Sequence, residues 1–138
     1  MYKQPDGQID IFSILHPLED MLDKSNRWFI RAQRIPWEEL EKELTPVLYS
    51  SRGAPAKPLR IMLGSMLIGD QLGVSDAETV RQIQENPYLQ YFIGLQEFQH
   101  DRVFAPLSLT LFRKRIAPQL SREVKKTIRD CMRVETED

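Results

Sequence analysis

The chain has 138 residues, a single cysteine and a formal net charge of −1, with 41% hydrophobic and 28% charged residues. That is enough chain for one domain with its own apolar core, without disulfides or metal, and the composition is not that of a disordered segment. Cys131 has no partner for an internal disulfide, no apolar stretch follows a basic N-terminus as in a signal peptide, and the most apolar run, Leu59–Leu72, is shorter than the roughly 20 residues of a membrane span and carries Arg60 and Asp70. A cytoplasmic protein with no membrane partner is expected.

Apolar Ile11, Ile14, Leu15, Leu18 and Leu22 recur at spacings of three and four, which predicts a first helix over residues 9–22 with Pro17 as a kink. After an arginine-rich stretch around Trp28 and Phe29, Pro36 opens a short helix with Glu38 and Glu39 near its positive end, which stops near Pro46. Residues 50–58, rich in Gly, Pro and Ser, read as a linker or an extended loop. Leu59–Leu72 is apolar nearly all round, as a central core helix must be, and Ser65 and Gly69 leave a groove for a close neighbour. Gly73 suits a left-handed helix end, and Ser75-Asp-Ala-Glu78 has the capping-box pattern, so a short turn and another helix follow, with Ala77, Val80 and Ile83 inside and Asn86-Pro87 as its stop.

A brief aromatic helix over 88–93 ends at Gly94, and 96–107 is a loop that leads into a helix over 108–116. The last helix, after Pro118, places Leu120, Val124, Ile128 and Met132 on one face. No period-two alternation and no internal repeat is visible. The expected fold is therefore all-α, one compact multi-helix domain over 1–138. It has acidic N-terminal helices over 9–48, a helix-turn-helix-like core over 58–94 and basic C-terminal helices over 108–134.

The small net charge conceals an asymmetry: before Tyr49 acids outnumber bases, whereas from Arg102 to Arg133 nine bases face only Glu123 and Asp130. Other chemistry finds little support. His16, His100 and Cys131 stand far apart with no Cys-x-x-Cys or His-x-x-x-His, so neither metal nor cofactor is expected. Gly64 and Gly69 lie inside a helix pattern with no Gly-Lys-Ser/Thr after them, which argues against nucleotide hydrolysis. Glu38, Glu39, Glu41 and Glu43 read as solvated surface, and no convergent catalytic set is visible, so the chain is not expected to be an enzyme.

The stretch Ser108-Leu-Thr-Leu-Phe-Arg-Lys-Arg-Ile116 can be laid on a helical wheel with Ser108 as N-cap. Leu109, Phe112 and Ile116 then point inward, Thr110, Leu111, Lys114 and Arg115 point away, and Arg113 sits at the edge of the apolar stripe. Cations displayed this way either contact DNA by displacing counterions or merely keep the surface wet, and spacing does not separate the two. Tyr88, Tyr91, Phe92 and Phe98 read as core rather than base-stacking groups, His100 as a loop residue, and Arg81 as a partner of Glu78 or Glu85 on its own helix.

Four blocks taken together resemble a known family: Arg52-Gly-Ala-Pro-Ala-Lys-Pro-Leu-Arg60, Gly73-Val-Ser-Asp-Ala-Glu78, Glu85-Asn-Pro-Tyr-Leu-Gln-Tyr-Phe-Ile-Gly94 and Pro106-Leu-Ser-Leu-Thr-Leu-Phe-Arg-Lys-Arg-Ile116. In order and spacing they are similar to the N-terminal domain of InsH-type bacterial insertion-sequence transposases, over roughly residues 15–116. The resemblance implies a helical module that engages the terminal inverted repeats of a mobile element. The family's catalytic acids lie in a later RNase H-like domain, so DNA binding without strand transfer is expected of this chain. Thr110, Lys114 and Arg115 are the leading DNA-facing candidates, with Ser108 at the helix start and Arg113 positioning a phosphate or bracing the helix; Arg52, Lys57, Arg60 and Arg81 stand behind them. Two departures stand out. Ala54 replaces a common arginine, and Leu111 occupies an outward position where a polar residue is common, which leaves it for a thymine methyl or a protein partner such as a second copy in a homodimer.

Overall fold

Eight α-helices and one 3-10 turn make up the regular structure of residues 17–49 and 57–134, the part of the chain described by the computed structural model. They are α1 (Leu18–Met21), α2 (Arg27–Arg34), α3 (Trp37–Tyr49), α4 (Leu59–Leu72), α5 (Asp76–Glu85), α6 (Pro87–Phe92), α7 (Pro106–Ile116), the turn Ala117–Gln119 and α8 (Arg122–Met132). No strand occurs among the described residues, and the fold is all-α. The 9–16 part of the first helix expected over 9–22, His16, and the loop residues Arg52 and Ala54 fall outside them.

The most apolar run of the sequence becomes the axis. In α4 every residue from Met62 to Gly69 is buried, and α3, α5 and α7 pack around it. Gly73 ends α4 in the left-handed region at φ 67°, and Ser75 caps α5 by accepting from the Glu78 amide at 3.1 Å, so the expected turn between the two helices is present. The groove at Gly69 is filled by α5: a Cβ built there would lie 2.6 Å from Thr79 Oγ1. Gly69→Ala is therefore expected to destabilise by about 1 kcal/mol net, because an overpacking cost of ~1–3 kcal/mol exceeds the ~1 kcal/mol that alanine returns in helix propensity. Thermal melting checks this, and an unchanged or raised midpoint would mean that α5 yields.

Several boundaries differ from the sequence expectation, each for a physical reason. Pro17 is the N-cap of the four-residue α1 rather than a kink within a helix. The arginine-rich stretch is itself a helix, α2, started by Asn26, whose side chain accepts from the Trp28 amide at 2.7 Å. Helix α3 passes through Pro46 to Tyr49: proline forfeits one backbone bond, but Trp37, Leu40, Leu44 and Leu48 are all buried and carry the helix past it. Helix α7 starts at Pro106, because proline is preorganised for the first helical position, with Ala105 as the extended N-cap. Ser108 is thus not the cap but an exposed first-turn residue. The last helix begins at Arg122, capped by Ser121 through the Val124 amide, and the 3-10 turn takes up Pro118.

The aromatic residues pack as core. Phe92 is fully buried with Trp28 and Trp37 edge-on at 5.1 and 5.2 Å, and Phe29 stacks on Tyr91 at 4.7 Å. The loop before α7 is pinned by the buried Gln90, whose amide nitrogen donates to the Gln99 carbonyl while its oxygen accepts from the Gln99 amide, both at 2.8 Å. A loop without regular structure is thereby made rigid enough to aim α7.

Candidate nucleic-acid interface

Leu109, Phe112 and Ile116 are buried against α4 and α5, so the inward face of α7 is the one the wheel gives. The outward residues separate into two groups. Thr110 and Arg113 turn toward acids: Thr110 donates from Oγ1 to Asp76 Oδ2 at 2.7 Å, and Arg113 donates from Nε to Asp76 Oδ1 at 2.9 Å and from Nη1 to Asp70 Oδ1 at 2.8 Å. Arg113 therefore ties α7 to the end of α4 and the start of α5. Burial works to lower the Arg113 pKa, yet the hydrogen bonds to Asp70 and Asp76 together outweigh it and the net shift is upward. Thr110, expected to point away, is half-buried in this latch, where its hydroxyl meets Asp76 at the first turn of α5.

The second group faces solvent. Ser108, Leu111, Lys114 and Arg115 are exposed, and Lys114 has no partner among the described residues. Arg115 donates from Nη2 to the Leu48 carbonyl at 2.6 Å, one of the carbonyls left open in the last turn of α3, which holds its head at the seam of α3 and α7. Lys57, Ser108, Leu111 and Arg115 line a single cleft of about 220 Å³, with Met62 of α4 among its walls. Three of the residues picked out from the sequence thus come together, and Lys114 neighbours Arg115 on the same exposed end of α7.

Arg60 and Arg81 do not join them. Arg60 donates to the carbonyls of Phe92 and Tyr91 at 3.1 and 3.3 Å, caps α6, and lies 4.6 Å from the Trp37 ring; burial pulls its pKa below the ordinary arginine value. Arg81 lies exposed on α5, 3.9 Å from Glu78, the neighbour expected on its own helix, and is flanked by acids at Asp76, Glu78 and Glu85. The acids Asp70 and Asp76 were the residues that sequence reasoning left without a role. The isolated carboxylate in the apolar run of α4 and the acid just after the Ser75 cap were the signals available.

Among the described residues no helix is long and apolar enough to cross a membrane, and no three His, Cys, Asp or Glu side chains gather as a metal site. Residues 16–115 match the family model described as "Transposase domain (DUF772)". A Rhizobium meliloti protein, from ORF8 of the nfe locus, is 37% identical over 92 residues that make up 67% of this chain and 44% of that one. The chain thus spans less than half the length of that relative. No solved structure matches it.

Proposed function

Since the chain belongs to the DUF772 transposase-domain family, we propose that it is a DNA-binding domain that recognises the terminal inverted repeats of a mobile element and does not itself carry out strand transfer. The observation that carries this reading is the cluster of Lys57, Ser108 and Arg115 around one cleft, with Lys114 exposed beside it. Behind it, α7 packs across α4 and α5, which are joined by a short turn at Gly73. The face of α5 is acidic, so the basic end of α7 is the side a duplex would approach. Arg113 and Thr110 hold α7 in place, and contact with DNA falls to Lys57, Ser108, Lys114 and Arg115.

A mobility-shift titration on terminal-repeat and scrambled duplexes at two salt concentrations tests the reading. The chain is expected to prefer the terminal repeat and to lose affinity steeply with salt, and Lys114→Gln should weaken binding about five- to tenfold at 0.1 M salt, the share of roughly one phosphate contact. Absence of binding to both duplexes at low salt would overturn it.

One observation favours a second reading, a protein-interaction or dimerisation surface. Leu107 and Leu111, one turn apart on α7, are 65% and 51% exposed. Light scattering separates the two, because a concentration-independent dimer without DNA affinity would favour the second.

A further inference from the structure

We infer that α8 carries a second nucleic-acid contact, a row of cations that lies along the phosphate backbone of the duplex; this rests on the DNA-binding reading above. Arg122, Lys125, Arg129 and Arg133 follow one another at spacings of three, four and four. At 1.5 Å per residue they form a row about 16 Å long with a cation roughly every 6 Å, all on one side of the helix. All four are exposed, and none has an acidic partner among the described residues. The neighbouring Lys126 is different, since it pairs with Asp130 at 3.1 Å. At about 100° per residue, Glu123 and Asp130 fall to one side of the row, and Asp130 is taken up by Lys126.

Three observations lift this row above a merely wet face. Like charges at spacings of three and four repel along a helix, so the row is a cost in the free domain that a polyanion removes. Lys125, Arg129 and Arg133 also border a cleft of about 730 Å³ between α8 and α4, in which Asp70 is the one carboxylate among the described residues, and Arg113 neutralises it at 2.8 Å. Finally, the two clefts are neighbours: Met62 lines the first and Met66 the second, one turn apart on the same face of α4. A duplex seated at Lys57 and Arg115 has its next phosphates within reach of the row.

The occupant is a phosphate backbone rather than an acidic protein because the cations stand in an evenly spaced row along the exposed rim, while Met66, Leu67, Ile128 and Met132 behind them are already packed in the core. The row is also held rigidly, since Arg31 and Arg34 of α2 donate to the Met132 and Arg133 carbonyls at the end of α8.

The test is Lys125→Gln/Arg129→Gln in the full chain, titrated against terminal-repeat and scrambled duplexes from 50 to 200 mM salt, with circular dichroism to check that it folds. Binding to both duplexes is expected to weaken by about 25- to 100-fold at 0.1 M salt, and the slope of log affinity against log salt to become shallower by about 1.8, with the preference for the terminal repeat unchanged. The charge-preserving Lys125→Arg/Arg129→Lys should keep the parent slope. If the parent binds and the neutralised variant shows the same affinity and slope, the second contact is overturned, the first stands, and the row is left to an acidic protein. Lost preference with an unchanged slope would make α8 a base reader and overturn the backbone contact. A parent that binds neither duplex at 50 mM salt overturns the DNA-binding reading itself.

Discussion

Replacing Arg31 by alanine is expected to destabilise the domain by about 3–4 kcal/mol, seen as a lower urea midpoint at unchanged m-value. The side chain is 1% exposed, an unusual place for a guanidinium, and its surroundings account for it. Nε donates to the Met132 carbonyl at 2.8 Å, and the guanidinium lies 4.5 Å from the Trp28 ring. Met132 is the last residue of α8, so its carbonyl has no partner within its own helix and sits at the negative end of the dipole. Alanine removes the donor, strands that carbonyl beside the core, and leaves a cavity where a long side chain lay. Arg31→Met refills most of the volume without a donor, so it should recover about half of the loss. Limited proteolysis gives a local readout: cleavage near α8 should rise before the rest of the domain is attacked. An alanine variant with the parent's midpoint and cleavage pattern would mean that α8 is held by its apolar face alone.

The same residue shows where the sequence stops being readable. Leu109, Phe112 and Ile116, the left-handed Gly73 and the Ser75 cap were legible because helix period and capping chemistry act over one or two turns. Arg31, Arg60 and Arg115 were not, and they share a reason: each donates to an open carbonyl at the end of a helix remote in sequence, those of α8, α6 and α3. A main-chain carbonyl has no side-chain signature, so in the sequence an arginine that caps a distant helix looks like any other arginine. Helix α2 was missed for a related reason, since a cation occupies a position inside its buried face and breaks the apolar pattern. Pro46 and Pro106 err in opposite senses. One is expected to stop a helix that Leu44 and Leu48 sustain, and the other is expected in a loop when it suits a first turn.

Arg113→Ala is expected to lower stability by about 2–3 kcal/mol and, through a different group, to weaken DNA binding. The stability part comes mainly from Asp76, whose side chain is only 19% exposed and would keep Thr110 as its sole side-chain partner; the more exposed Asp70 adds at most about 0.5 kcal/mol. The binding part needs no contact between Arg113 and a phosphate. Once its partner is gone, Asp70 presents an uncancelled negative charge in the cleft bordered by Lys125 and Arg129, and it repels the backbone there. The two effects separate in the double variant Arg113→Ala/Asp70→Asn. If Arg113 acts by bracing α7 and cancelling Asp70, the double variant regains most of the parent affinity in a mobility shift at low temperature while its melting midpoint stays low. If Arg113 instead grips a phosphate, neutralising Asp70 restores nothing, because the missing donor is still missing. The latch then also explains why the cation at the edge of the apolar stripe differs from its two neighbours on α7: Lys114 and Arg115 serve an exposed surface, and Arg113 makes that surface possible by holding α7 against α4 and α5.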